Sequence, residues 1–357
     1  GIIRGWDSNW YGGKDFSDWC TKDDQMFKTM SGPLQMVLGK YGVGLAESAA
    51  AESKYEKGED ISVRLLDLVQ RMGEIRNNGT PEMEFAITAL LARSQTTSGR
   101  AGDAKRTLLA LRQRFEETGQ NRYLDNLDAL LCRLDLRLGN LDAADTWYLK
   151  KAPKDPLHFD ALKRYQYLTQ AVVELVAGQT KNVFFTLAPM DGYCKACGRH
   201  LDKISTDLLR AMALYREQDE RWHEYLKTAL TEAENYRFVR PASVFGGAIL
   251  PLLEQTKWTG DAKWFKAVLT DTRVQASFYP DYLRPRMSPA ENLTATEMRV
   301  LHLICADKSN AEIGEIMDIK LPTVKTHVSR VLEKLGVSRR SEAKTVAKKL
   351  WLIPEEL

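Results

Sequence analysis

Four glycines and one polar break recur along this chain at an almost fixed interval, and that recurrence restricts the fold more than any other feature. Gly58, Gly99, Gly139, Gly178 and the Gln218-Asp219 pair stand 41, 40, 39 and 40 residues apart. A fixed period of this size is the mark of a repeat architecture. Between the marks Gly and Pro are sparse, and apolar residues follow helical spacing. Each unit is therefore predicted to be two antiparallel helices joined by a tight turn at the mark. One hairpin cannot bury its apolar face alone, so neighbours must stack into a superhelix. Such a stack is expected over residues 41–270.

The chain has 357 residues, of which 44% are hydrophobic. That length suggests two or three domains, with ample material for buried cores. No apolar stretch reaches the length of a membrane span, and the N-terminus has no signal-peptide layout. Residues 1–40 gather Trp6, Trp10, Tyr11, Phe16 and Trp19 among Gly and Asp. They are expected to cap the first repeat or to pack on a preceding domain. Pro280, Pro285 and Pro289 punctuate residues 271–292, which are expected to form a semi-rigid linker.

Residues 293–357 read as four short helices. Thr294 with Glu297, and Ser309 with Glu312, fit the capping box, in which a hydroxyl and a carboxylate satisfy orphan N–H groups reciprocally. The first helix should bury Met298, Leu301 and Ile304, and the second Ile313, Ile316 and Met317. Pro322 suits the first turn of the third helix, and Gly336 its left-handed stop, with Val337 closing the contact behind it. A fourth helix is expected from about Ser338 to Trp351. This is the layout of a helix-turn-helix. The apolar face of the third helix would be Val324, Val328, Val331, Leu332 and Leu335. That leaves Lys325, Thr326, Ser329 and Arg330 outward, where such a helix reads base edges in the major groove. Thr323, His327, Lys334, Arg339 and Arg340 are better placed for phosphates, which fix register without reading sequence.

Charge follows the same division. Residues 320–349 hold nine Lys/Arg and two Asp/Glu, a net +7, whereas residues 290–319 hold two and six, a net −4. The whole chain is only +3. Segregated basic charge is the footprint of phosphate binding, although a charge run alone more often describes a solvated helix face.

Leu293-Thr294, Glu297, Val300-Leu301, Ser309-Asn310, Glu312-Ile313, Ile319, Thr323-Val324-Lys325, His327, Lys334-Leu335-Gly336-Val337, Arg340 and Ala343 resemble the LuxR-type DNA-binding domain, without a gap. The resemblance implies a four-helix domain, often dimeric on DNA, with its third helix in the major groove. Three positions depart from the family pattern. Thr296 replaces a usual Arg, Asp307 a usual Gly and Ala311 a usual Lys. Farther upstream, Leu138-Gly-Asn-Leu-Asp-Ala-Ala144, the Gly178 turn and Glu232 to Pro241 resemble the tetratricopeptide-like repeats of the MalT-like family of large ATP-binding LuxR regulators. That resemblance implies a small-molecule or protein inducer on the repeats, and an ATP-binding domain upstream. The sequence has no G-x-x-x-x-G-K-[ST] pattern, so that domain and its activity are not expected within these residues. Gly39-Lys40-Tyr41-Gly42 lacks the required spacing and is expected to make a helix-start turn.

Cys194, Cys197 and His200 form a C-x-x-C with a nearby His, which could ligate zinc. No second C-x-x-C exists, and Cys194 and Cys197 on one helix face suit packing between repeats instead. Five cysteines, an odd number, suit a reducing cytoplasm. No two of the five His stand at i, i+4, and no nucleophile pattern is recognisable, so no catalytic residue, metal or cofactor is assigned. Trp147, Tyr148, Tyr165, Tyr167, Tyr193, Tyr215, Trp222, Tyr225 and Tyr236 are expected mostly in the core between repeats, some lining a concave groove. The sequence thus points to an all-α chain, a helical-repeat superhelix followed by a helix-turn-helix domain. The function expected is a cytoplasmic transcriptional regulator, dimeric on double-stranded DNA. A repeat-based scaffold whose helix-turn-helix docks protein is the alternative.

Overall fold

The computed structural model describes residues 29, 32, 33, 36–153, 159–279, 283, 293–335 and 337–349. The aromatic N-terminal residues, Pro280, Pro285, Pro289, Gly336 and Trp351 lie outside them. The described residues contain helices and no strand. They fall into two compact units, one on each side of residues 285–286.

The first unit is a stack of helical hairpins. A 3-10 turn at Gly39–Gly42 leads into α1 (Leu45–Glu56), and the first repeat continues as two short helices, α2 (Ser62–Gln70) and α3 (Met72–Asn78). Regular hairpins follow: α4 (Pro81–Thr97) with α5 (Ala101–Glu117), α6 (Leu124–Arg137) with α7 (Leu141–Lys151), α8 (Arg164–Val176) with α9 (Thr180–Cys197), and α10 (His200–Arg216) with α11 (Trp222–Asn235). Every predicted break falls at the inner turn of a repeat. Gly58, Gly99, Gly139 and Gly178 take φ between 71° and 80°, and Gln218 takes 57°. Gly99 shows why glycine serves here. Its backbone is left-handed at φ +78°, and an added Cβ would stand 3.1 Å from the Phe278 ring. A side chain would meet both a backbone penalty and a clash.

Aromatic and apolar residues fasten each hairpin to the next. Phe85 of α4, Phe115 of α5 and Tyr123, just ahead of α6, form a buried trio with ring centroids 5.1 to 6.4 Å apart. Trp147, Tyr165, Tyr167, Trp222 and Tyr236 are buried in the same core, and Tyr148, Tyr193, Tyr215 and Tyr225 pack against it. Between successive repeats, Arg164 at the start of α8 and Arg199 ahead of α10 converge on the buried Asp202, at 3.0 and 3.2 Å.

Beyond α11 the pattern changes. The short α12 (Arg240–Ser243) and α13 (Leu250–Gln255) lead to α14 (Ala262–Phe278). Asp261 caps α14 by accepting from the N–H groups of Lys263 and Trp264. These elements return across the inner face of the stack. Val239 N–H donates to Glu56 O at 2.7 Å. The Arg137 guanidinium donates to Val244 O at 2.8 Å, and Gln275 Nε2 to Thr97 O and Tyr279 Oη to Thr96 O, each at 2.9 Å. The linker expected from residue 271 is thus corrected in its first part, because α14 runs on to Phe278 with Thr272 and Gln275 buried. No proline stands between Ala262 and Phe278, so none stops the helix sooner.

The second unit holds α15 (Ala295–Cys305), α16 (Asn310–Met317), α17 (Leu321–Lys334) and α18 (Arg340–Lys349). Its core is Val300, Leu301, Ile304, Cys305, Ile313, Val324, Val328, Val331, Leu335, Ala343 and Ala347, with Leu293 at the edge. Met298, Met317 and Leu332 are partly buried against it. Ile316, expected inside, is half exposed at 50%. With only eight residues, α16 turns one narrow stripe inward, and Ile313 and Met317, four apart, occupy it.

Candidate nucleic-acid interface

Local chemistry places α15 to α17. Thr294 and Glu297 close one capping box and Ser309 and Glu312 a second, each with both reciprocal bonds present. Asp307 and Asp318 end the first two helices in the left-handed region, at φ 58° and 52°. Asp307 stands where the LuxR-type pattern usually has Gly. Asp tolerates that backbone better than most residues, and its carboxylate also pairs with Lys344 of α18 at 2.8 Å. The departure thus adds a bond between elements.

The turn into α17 is tight. At Gly314 an added Cβ would lie 3.0 Å from Ile319 O and 3.5 Å from the Val324 side chain. The missing side chain lets α17 settle close against α16. Pro322 sits in the first turn of α17, as its sequence position predicts. At the other end, Val337 N–H donates to Leu332 O at 3.0 Å. That is the six-to-one bond of a Schellman stop.

The burial pattern of α17 divides it cleanly. Val324, Val328 and Val331 face the core, while Thr323, Lys325, Thr326, Ser329 and Arg330 are exposed. The Thr326 hydroxyl bonds back to Pro322 O at 3.1 Å. The side chains of Lys325, Ser329 and Arg330 make no hydrogen bond or ion pair among the described residues, so their donors face outward uncommitted. His327 is half-buried, with Nδ1 enclosed and without a hydrogen-bond partner among the described residues.

Two candidate phosphate contacts also make bonds within the unit. Lys334 donates to Glu297 Oε2 at 2.7 Å, tying the end of α17 to the start of α15. Arg340 donates to Asn310 Oδ1 at 2.7 Å and to Lys308 O at 2.6 Å, bracing the turn ahead of α16. Arg339 remains exposed beside them. Sequence spacing identifies basic residues but not their internal partners, which lie 30 or more residues away.

The metal candidates do not converge. Cys194 is buried, and burial pushes its thiol up to about 12. Cys197, the last residue of α9, faces solvent, so the shared buried face expected for the pair is corrected. Residues three apart are about 60° off register, enough at a helix end to part them. His200 Nδ1 pairs with Glu232. Among the described residues no group of three or more His, Cys, Asp or Glu could hold a metal ion.

Residues 68–258 match the family described as the MalT-like TPR region, and residues 291–347 match the bacterial regulatory proteins of the luxR family. The first match covers more than half of the chain. The chain belongs to the MalT-like TPR family and ends in a LuxR-family regulatory domain. Among curated relatives of this MalT-like chain, the HTH-type transcriptional regulator MalT of Yersinia pestis (strain Pestoides F) is 26% identical over 308 residues, 78% of this chain and 33% of the relative. The transcriptional regulatory protein LiaR of Bacillus subtilis (strain 168) is 45% identical over 65 residues, 18% of this chain and 31% of the relative. The chain thus spans about a third of the length of these relatives. No solved structure matches it. No helix among the described residues is long and apolar enough to cross a membrane.

Proposed function

We propose that this chain regulates transcription from the cytoplasm by placing α17 in the major groove of double-stranded DNA, with Lys325, Thr326, Ser329 and Arg330 at base edges. The observation that carries this reading is the outer face of α17, where uncommitted donors stand opposite a buried valine ridge. Lys325 can donate to guanine O6 and N7, and the Thr326 methyl, left outward by the bond of its hydroxyl to Pro322, can contact a thymine methyl. Thr323, His327 and Arg339 remain the phosphate contacts, while Lys334 and Arg340 serve the packing of the unit itself. Two copies bind two half-sites, as is usual for such domains. The repeats receive the signal, from a small molecule or a protein partner.

The test is binding to an operator selected from random duplex DNA, at fixed salt. The K325A/S329A variant should lose about 100-fold in specific affinity, since each good base contact is worth about 1–3 kcal/mol. Its circular dichroism should be unchanged, because both side chains are exposed and make no internal bond. R339A should weaken specific and non-specific DNA alike and flatten the salt dependence. Unchanged affinity in the double variant would remove α17 as the reader. A chain that binds no duplex at any salt would instead be using this domain to dock protein.

A further inference from the structure

The return of the chain at α12 across the stack leaves a half-open cavity of about 100 Å³ inside the repeat unit. Its walls come from α1, α4, α5, α6, α8, α10, α12 and the residues just after α12, so nearly every repeat contributes. Four of the lining residues are arginines, namely Arg93, Arg133, Arg137 and Arg240, and one is a carboxylate, Glu56. Arg93 pairs with Glu52 at 3.1 Å and with Glu56, and Arg240 makes a two-pronged pair with Asp271 at 2.7 and 2.8 Å. Arg133 donates to the Thr169 hydroxyl at 2.9 Å, and Arg137 to the Val244 carbonyl.

The guanidinium planes are held by rings. Arg93 and Arg240 lie over Tyr55 at 4.4 and 5.4 Å, Arg133 over Tyr165 at 4.4 Å, and Arg137 over Tyr279 at 5.2 Å. Stacking of this kind fixes the orientation of a donor fork without using its N–H groups. Arg240 Nε is buried and meets no acceptor among the described residues. Arg133 and Arg137 also stand one turn apart on α6, an arrangement of like charges that destabilises a helix by itself. A fold that gathers and orients four planar cations around one small cavity provides what a carboxylate or a phosphate needs, because the fork matches both in pairs of parallel bonds.

We propose that this cavity binds a small anion, the carboxylate or phosphate monoester group of a metabolite, and that this anion is the signal the repeats receive. The proposal rests on the ligand reading given above and names its site and its chemical class. The ligand would touch α6, α8 and α12 together, so its binding would tighten the return of the later helices onto the earlier ones.

Calorimetric titration of the full chain at constant ionic strength tests it with three probes. These are glucose 6-phosphate, succinate and uncharged glucose. At least one anion should bind saturably and glucose should not, and which anion binds separates phosphate from carboxylate. Hydrogen exchange should slow at residues 92–97 and 240–245 when it does. R133Q should weaken that binding at least tenfold. R133K, which keeps the charge but loses the planar fork, should fall between, and it covers the case in which R133Q fails to fold. Absence of saturable binding by both anions, or equal binding by R133Q and the unaltered chain, would overturn the proposal. Binding of glucose alone would overturn the anion class and leave the ligand reading standing. An anion that binds without changing operator affinity would leave the site but remove its role as the signal.

Discussion

Replacement of Asp202 by Ala is expected to destabilise the repeat unit by about 3–5 kcal/mol, the usual cost of removing one partner from a buried ion cluster. Asp202 is fully buried, and the Arg164 and Arg199 side chains that reach it are 7% and 6% exposed. Two guanidinium groups would then face each other in a low dielectric without their shared counter-charge. The penalty comes from the lost counter-charge more than from the lost bonds. The triple variant R164M/D202L/R199M should therefore cost much less than D202A alone, since apolar replacements of similar size often match or exceed a buried ion cluster. Because repeats contact mainly their neighbours, D202A should lose hydrogen-exchange protection first in α8 to α11. Urea denaturation followed by circular dichroism, with exchange mass spectrometry to locate the effect, would measure it. A loss below 1 kcal/mol in D202A, or a larger loss in the triple variant, would show that the cluster does not work this way.

The repeat period was legible because its cause is local. A tight inner turn needs one residue with positive φ, and glycine supplies that at four of the five marks. The fifth, Gln218, adopts the same conformation without glycine, and only the regular spacing and its polar neighbours revealed it. Both capping boxes were legible for the same reason, since each involves four consecutive residues. The return of α12 to α14 was not legible. It rests on pairs such as Glu56 with Val239 and Thr97 with Gln275, which are separated by 183 and 178 residues and carry no local signature. The cavity depends on that closure and was missed with it. A partial signal did exist. Arg133 and Arg137 interrupt the apolar stripe of α6 at i, i+4, between residues as buried as Leu130 and Leu134.

In the LuxR-family unit, the exposed face of α17 follows directly from its 3.6-residue period. The fates of Lys334 and Arg340 do not, because a basic residue in a basic segment looks the same whether it meets a phosphate or a carboxylate from another helix. Asp307 carries the same lesson from the other side. As a sequence it is a departure at a glycine position. As a structure it is an αL residue whose carboxylate reaches Lys344, so the substitution trades backbone freedom for a contact between α15's end and α18.

Glu297 joins the two ends of this small unit, and its replacement should be felt throughout it. One oxygen, Oε2, accepts from Thr294 N–H at 2.8 Å, from the Thr294 hydroxyl at 2.9 Å and from Lys334 Nζ at 2.7 Å. E297A would remove Glu297's half of the capping box, worth about 0.5–1 kcal/mol, and a charge-assisted bond of about 1.5–3 kcal/mol, while the Thr294 hydroxyl keeps its bond to the backbone N–H. A total loss of roughly 2–4 kcal/mol is expected, large for a unit of this size. E297Q keeps an acceptor for Thr294 but not the charge facing Lys334, so about half of that loss should remain. The pH dependence gives an independent measure. The Lys334 ammonium, followed by the Thr294 N–H, holds the Glu297 carboxyl down to about 2 from its ordinary 4.5. A carboxylate lowered on folding contributes stability that is fully present above its unfolded value and is lost as pH falls through its folded one. The unaltered unit should therefore lose this contribution between about pH 4.5 and pH 2, and E297A should show a flatter profile across the same window. Exchange protection of α15 and α17 in the full chain, followed as pH is lowered, would resolve the two profiles. Parallel profiles would mean that the Glu297–Lys334 bond contributes nothing, and Lys334 would then return to the residues available for phosphate.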